Sequence, residues 1–134
     1  QVLKGSTSIK LGSLSPTRDF NYVEDTCRGF MMLADKENTV GETVNIGSSR
    51  EISIGELVKL ITEIIGVNID IESDDIRKRP TNSEVERLLC DNTKIKNLTG
   101  FEPQISLREG LTRTINWLEQ TENLKKYKVD IYNV

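Results

Sequence analysis

Residues 53–66 constrain the fold more than any other stretch of the chain. Ser53 precedes an apolar run and Glu56 stands three positions later, the spacing of a capping box in which a hydroxyl and a carboxylate satisfy orphan backbone N–H groups. Ile52 and Leu57 occupy the two positions of a hydrophobic staple. Ile54, Leu57, Val58, Ile61, Ile64 and Ile65 recur on one helical face, and Gly66 closes the helix. Thr43-Val44-Asn45-Ile46 before this helix is β-branched, and Val67-Asn68-Ile69-Asp70-Ile71-Glu72 after it alternates apolar and polar residues, so both read as strands. Strands separated by a helix favour a right-handed βαβ crossover. The expected fold class is therefore α/β, a small, mostly parallel sheet with flanking helices.

The rest of the chain is read in the same way. Ile9-Lys10-Leu11 and Asp19-Phe20-Asn21-Tyr22-Val23 are expected as strands of a hairpin joined by the Gly-Ser-Leu-Ser-Pro turn ending at Pro16. A helix is expected from about Glu24 to Ala34, with Val23, Cys27, Phe30, Met31 and Ala34 on its inward face. Leu88-Leu89-Cys90 is apolar but of unsettled type. Asp91 or Asn92 caps a short helix with Ile95 and Leu98 inward, ended by Gly100. Ser106 and Glu109 form a second capping box, followed by an apolar face of Leu107, Leu111, Ile115 and Leu118. With 134 residues there is enough chain for one core, expected over 1–122, with 123–134 as a C-terminal tail. The opening Gln1–Gly5 reads as a helix end without its beginning, from which the chain is expected to be part of a longer polypeptide.

Composition narrows the chemistry. A net charge of -3 argues against a general nucleic-acid binder, which displaces counterions with a basic surface. No apolar run approaches the roughly 20 residues that span a bilayer. Histidine is absent, which removes His-based triads and His-containing zinc sites. Cys27 and Cys90 form no CxxC pair and read as small buried residues of a reducing compartment, so the expected location is cytoplasmic and no metal is expected. The turn Gly47-Ser48-Ser49 lacks both the Walker lysine pattern and G-x-G-x-x-G, and no Tyr-x-x-x-Lys pair occurs anywhere in the chain.

Three groups remain as candidates. Arg18 lies at the mouth of a strand, where a guanidinium can clamp a phosphate or carboxylate in forked geometry; the structural alternative is an ion pair with Asp19 or Asp25. Asp75-Ile76-Arg77-Lys78-Arg79-Pro80 places three cations in one loop, suited either to a diphosphate or simply to solvent. Glu84 and Arg87, three apart, either pair on a helix face or line a pocket.

The order Thr17-Arg18-Asp19-Phe20-Asn21-Tyr22-Val23-Glu24-Asp25-Thr26, Val44-Asn45-Ile46-Gly47-Ser48, Glu51-Ile52-Ser53-Ile54-Gly55-Glu56-Leu57, Arg79-Pro80, Asp91-Asn92-Thr93-Lys94 and Leu98-Thr99-Gly100-Phe101-Glu102-Pro103 resembles the C-terminal part of extended short-chain dehydrogenases/reductases, the NAD-dependent epimerase/dehydratase family. Phe101 stands where that family usually has Trp. The resemblance runs from Ile9 to about Gln120 and points to nucleotide-sugar 4,6-dehydratases, with a UDP- or GDP-N-acetylglucosamine-like substrate. It implies that Arg18 and Arg79 hold the substrate's diphosphate and that Glu84 and Arg87 sit near the nucleoside or its ribose. It also implies that NAD or NADP binds to an N-terminal doubly wound sheet that this chain lacks, so neither cofactor is expected here. Family enzymes oxidise the sugar at C4, which acidifies the C5 proton; dehydratases then eliminate water across C5 and C6, whereas epimerases return the hydride to the other face of C4. The groups for that chemistry belong to the absent half. The expected role is thus the substrate-binding portion of such an enzyme, inactive alone, whose parent is a homodimer. The alternatives are a fragment of a 4-epimerase, a non-enzymatic binding domain reusing the fold, and, least expected, an autonomous enzyme built on carboxylates such as Glu84 and Glu86.

Overall fold

A computed structural model describes residues 1–77, 83 and 85–127. It contains five short strands in two sheets and five α-helices among these residues. β1 (Ser8–Leu11) runs parallel to β4 (Asp70–Ser73), in register from Ser8 opposite Asp70 to Leu11 opposite Ser73. The second sheet is centred on β2 (Thr17–Asp19), which pairs antiparallel with β3 (Glu51–Ser53) and parallel with β5 (Arg87–Leu88). The helices are α1 (Val23–Ala34), α2 (Ile54–Ile65), α3 (Thr93–Thr99), α4 (Leu107–Glu119) and α5 (Thr121–Leu124). Two of the three strand pairs are parallel, which agrees with the α/β class read from the sequence.

The expected hairpin does not form, because β1 and β2 lie in different sheets. The connection between them is held by the start of α2 instead: Gly55 N donates to Leu14 O at 2.9 Å and Ile54 N to Pro16 O at 3.1 Å. The first-turn N–H groups of a helix lack intrahelical partners, so a passing loop that supplies carbonyls is fixed there. The expected strand over 43–46 also lacks a ladder. Thr43 O accepts from Lys94 Nζ and Gly47 O from Asn92 Nδ2, but the backbone groups of Val44, Asn45 and Ile46 have no partner among the described residues.

α2 forms as read. The Ser53–Glu56 capping box is complete, and Gly66 closes the helix at φ 79°. α4 starts on half of such a box: Ser106 accepts from Glu109 N, while the Glu109 carboxylate turns to Arg113 at 2.7 Å. Val58 from α2, Ile95 from α3, Ile115 from α4 and Phe101 form the buried apolar centre. Each fully buried side chain of this size contributes about 1.5–3 kcal/mol.

α1 packs by the face opposite to the one expected. Val23, Phe30 and Met31 are each more than 60% exposed (63%, 63% and 64%), and Cys27 is exposed with them. The inward side is Asp25 and Gly29. A Cβ at Gly29 would come within 2.9 Å of Ile46 Cγ2 and 3.3 Å of Phe101, so glycine there is what lets the helix approach. Asp25 accepts from Gln104 N at 3.0 Å and Ile105 N at 2.9 Å and pairs with Arg28, which also donates to Glu102 O and lies over the Phe101 ring. Burial opposes ionisation of Asp25, but the N–H donors of Ile105 and Gln104 and the Arg28 guanidinium outweigh it, and its carboxyl lies below the ordinary aspartate value. Cys90, also expected to be buried, is only partly so.

Candidate functional site

The candidate residues gather on the three-stranded sheet. Residues alternate between faces along a strand. Thr17 lies opposite Ser53 and Arg87, and Asp19 opposite Glu51, so Thr17, Asp19, Glu51 and Arg87 share one face. Arg18 lies opposite Ile52 and Leu88 and takes the other. Arg18 and Arg87 thus stand on adjacent strands but project from opposite sides of the sheet. Arg79 and Glu84 lie outside the described residues.

Arg18 donates from Nη1 to the carbonyls of Thr17 and Val85, each at 2.7 Å. The carboxylates considered as its partners are engaged elsewhere, Asp25 as above and Asp19 with the backbone beside it. Asp19 accepts from Ser48 N at 3.0 Å, Ser48 Oγ, Ser49 N at 2.8 Å and Cys90 N at 3.3 Å. One side chain therefore ties β2 to the 47–49 turn and to the segment after β5. The same contacts remove that turn as a phosphate cradle, because its N–H groups already serve a carboxylate. Gly47 is closed as well: a Cβ there would collide with Cys90, reaching Sγ at 2.7 Å. Burial, with the charges of Asp19 and Asp91, pushes the Cys90 thiol up and makes it a poor nucleophile.

Arg87 is on a strand, so the helix-face pairing with Glu84 does not apply. Its described partner is Glu51: Nε lies 2.9 Å from both carboxylate oxygens and Nη2 is 2.7 Å from Oε1. Thr17 Oγ1 donates to Glu51 Oε2 at 2.7 Å. The bonds from Arg87 and Thr17 hold the Glu51 carboxyl below its ordinary range. Glu51, Thr17 and the organising part of Asp19 were missed in the sequence, since only strand register brings them together. The local hint was that Thr17 and Asp19 flank Arg18 in one recognised run and Glu51 opens another.

An open cavity of about 510 Å³ lies between α1 and the end of β5, lined by Asn21, Thr26, Phe30, Asn45, Leu88 and Leu89 among others. Its walls mix amide groups with exposed apolar side chains. Among the described residues no cluster of three metal-ligating side chains occurs, and no helix is long and apolar enough to cross a membrane. Five of the described glycines are unsuited to a dinucleotide turn: Gly29, Gly47 and Gly110 are closed by Ile46, Cys90 and Tyr22, and Gly66 and Gly100 cap helix ends.

Residues 1–114 match the family model described as GDP-mannose 4,6 dehydratase. UDP-glucuronate 4-epimerase from Thermodesulfobacterium geofontis is 33% identical over 120 residues, 88% of this chain and 35% of its own. GDP-L-fucose synthase 1 from Arabidopsis thaliana is 36% identical over 106 residues, 79% of this chain and 31% of its own. Among solved structures, an epimerase from Methanothermobacter thermautotrophicus aligns with a TM-score of 0.80 at 32% identity, covering 92% of this chain and 35% of that one. The dTDP-glucose 4,6-dehydratase of Bacillus anthracis, solved in complex with NAD, aligns with a TM-score of 0.78 at 28% identity, covering 90% and 37%. The chain spans about a third of the length of the curated relatives it matches.

Proposed function

The chain belongs to the NAD-dependent epimerase/dehydratase family of nucleotide-sugar enzymes, and from that premise we propose that it is the substrate-binding portion of a nucleotide-sugar 4,6-dehydratase, silent in catalysis by itself. The observation that carries the reading is the match of residues 1–114 to a dehydratase family model. The proposed substrate is a UDP- or GDP-linked N-acetylglucosamine-like sugar. Arg18 and Arg79 are assigned to its diphosphate, and Glu84 and Arg87 to its nucleoside or ribose. Guanidinium groups suit these roles because they give planar, bidentate recognition that lysine does not.

The redox step is assigned to NAD or NADP held by the remaining two-thirds of a family-length polypeptide, in a cytoplasmic homodimer. This agrees with the absence of a Tyr-x-x-x-Lys pair from the sequence and with the closed glycines above. No step of the reaction is routed through the present residues beyond binding and orienting the substrate. A second reading, a 4-epimerase portion, is supported by the epimerases among the relatives and uses the same binding residues.

Calorimetric titration of the chain with UDP, GDP and their N-acetylglucosamine conjugates tests the proposal, beside an Arg18→Ala/Arg79→Ala double variant. Binding by the wild type and its loss in the variant is the expected result, and the preferred nucleotide names the base. Equal heats for both proteins would remove these two arginines from the site.

A further inference from the structure

We propose that Glu51 is a positioning residue for nucleotide binding, fixing one edge of the Arg87 guanidinium so that the other edge meets the ligand. This rests on the assignment of Arg87 to the substrate. Glu51 engages Nε and Nη2 of Arg87, leaving Nη1 without a partner among the described residues. The Arg87 side chain is 65% exposed and so accessible to a ligand. Thr17 Oγ1 holds the second side of the Glu51 carboxylate, which stops it from swinging with the arginine. Three strands thus contribute one residue each to a fixed donor edge: Thr17 from β2, Glu51 from β3 and Arg87 from β5.

Stability alone gives little reason for such an arrangement. An exposed ion pair is screened by solvent and adds little to stability. Free arginine side chains lose rotamer entropy on binding, and a guanidinium already held in place loses less. The two physical effects of Glu51 on an anionic ligand also have opposite signs. Its charge repels a diphosphate, so removing it would strengthen binding if charge were the dominant effect. Its grip pre-orients Arg87, so removing it weakens binding if position dominates. The sign of the change therefore separates a positioning residue from a neighbouring charge.

The test is titration of the 134-residue chain with UDP and GDP, comparing wild type with Glu51→Gln, Glu51→Asp and Arg87→Ala, with thermal melts of all four. Glu51→Gln keeps the shape and removes the charge; Glu51→Asp keeps the charge and shortens the reach. The expected result is affinity lowered on the order of tenfold in both Glu51 variants and at least as far in Arg87→Ala, with melting points close to wild type. A rise in affinity for Glu51→Gln, or wild-type affinity for Glu51→Asp, overturns the positioning role. Full affinity in both Glu51 variants with loss in Arg87→Ala overturns it too, and leaves Arg87 in the site. No binding by the wild type, or equal binding by Arg87→Ala, overturns the underlying assignment of Arg87 to the substrate.

Discussion

Asp25 joins α1 to the loop before α4 by accepting two backbone N–H groups and an arginine at a position only 1% exposed. Asp25→Ala leaves these part-buried donors without their shared acceptor and is expected to cost about 1–3 kcal/mol, read from denaturant unfolding. The pH dependence has a definite sign. Because the folded carboxyl lies below its ordinary value of 3.8, its contribution is present above that pH and is lost as pH falls through the lowered folded value. Asp25→Asn should therefore be less stable than wild type at neutral pH, with the gap closing below about pH 4; parallel curves down to pH 2 would contradict this. Gly47 gives a second test at the same scale. Gly47→Ala drives a Cβ into Cys90 and is expected to lower stability by about 1–3 kcal/mol, whereas Gly5→Ala meets no atom within 4 Å and pays only for its φ of 88°. Neither the Asp25 tie nor the Gly47 contact was visible in the sequence. Each depends on residues more than 40 positions away, 79 and 80 apart for Asp25 with Gln104 and Ile105.

Among the elements, legibility follows how local the determining interactions are. α2 was readable to the residue because its cap, staple, apolar period and closing glycine all lie within one short stretch. Ser53→Ala should therefore lower stability by about 1 kcal/mol, checked by thermal melting. The strands were less legible. Three of the five are only two or three residues long, so no alternation fixes their register, and the partners of β2 come from positions 51–53 and 87–88. The sheet face that carries Arg87 followed from that register alone. Arg18 and Arg87 were legible as residue types suited to phosphate and ribose; their placement on opposite faces was not. α1 shows the limit of periodicity in another way: it reveals that a face is apolar, but not what covers it. Here the inward seam consists of a carboxylate and a glycine, which carry no hydrophobic period at all.

At the scale of the molecule, that uncovered face and the family's length belong together. Phe30, Met31 and Val23 on α1, with Leu88 and Leu89 across the cavity, expose apolar area beside the segment 44–46, whose backbone groups have no partner among the described residues. Unpaired backbone next to apolar side chains is a surface on which another strand can add. The relatives have about twice as much chain again to supply it. Alone in solution, the chain is expected to bind a hydrophobic dye and to self-associate, and Phe30→Lys with Met31→Lys should reduce both effects without unfolding α1, since these side chains are exposed. Hydrogen exchange gives the sharper reading. The amides of Val44, Asn45 and Ile46 should exchange rapidly in the chain alone and become protected in a polypeptide of family length, while the α2 amides stay protected in both. A dye-silent monomer with slow exchange at 44–46 would mean that the face is covered from within the chain. It would also mean that the described packing of α1 is not the one adopted in solution.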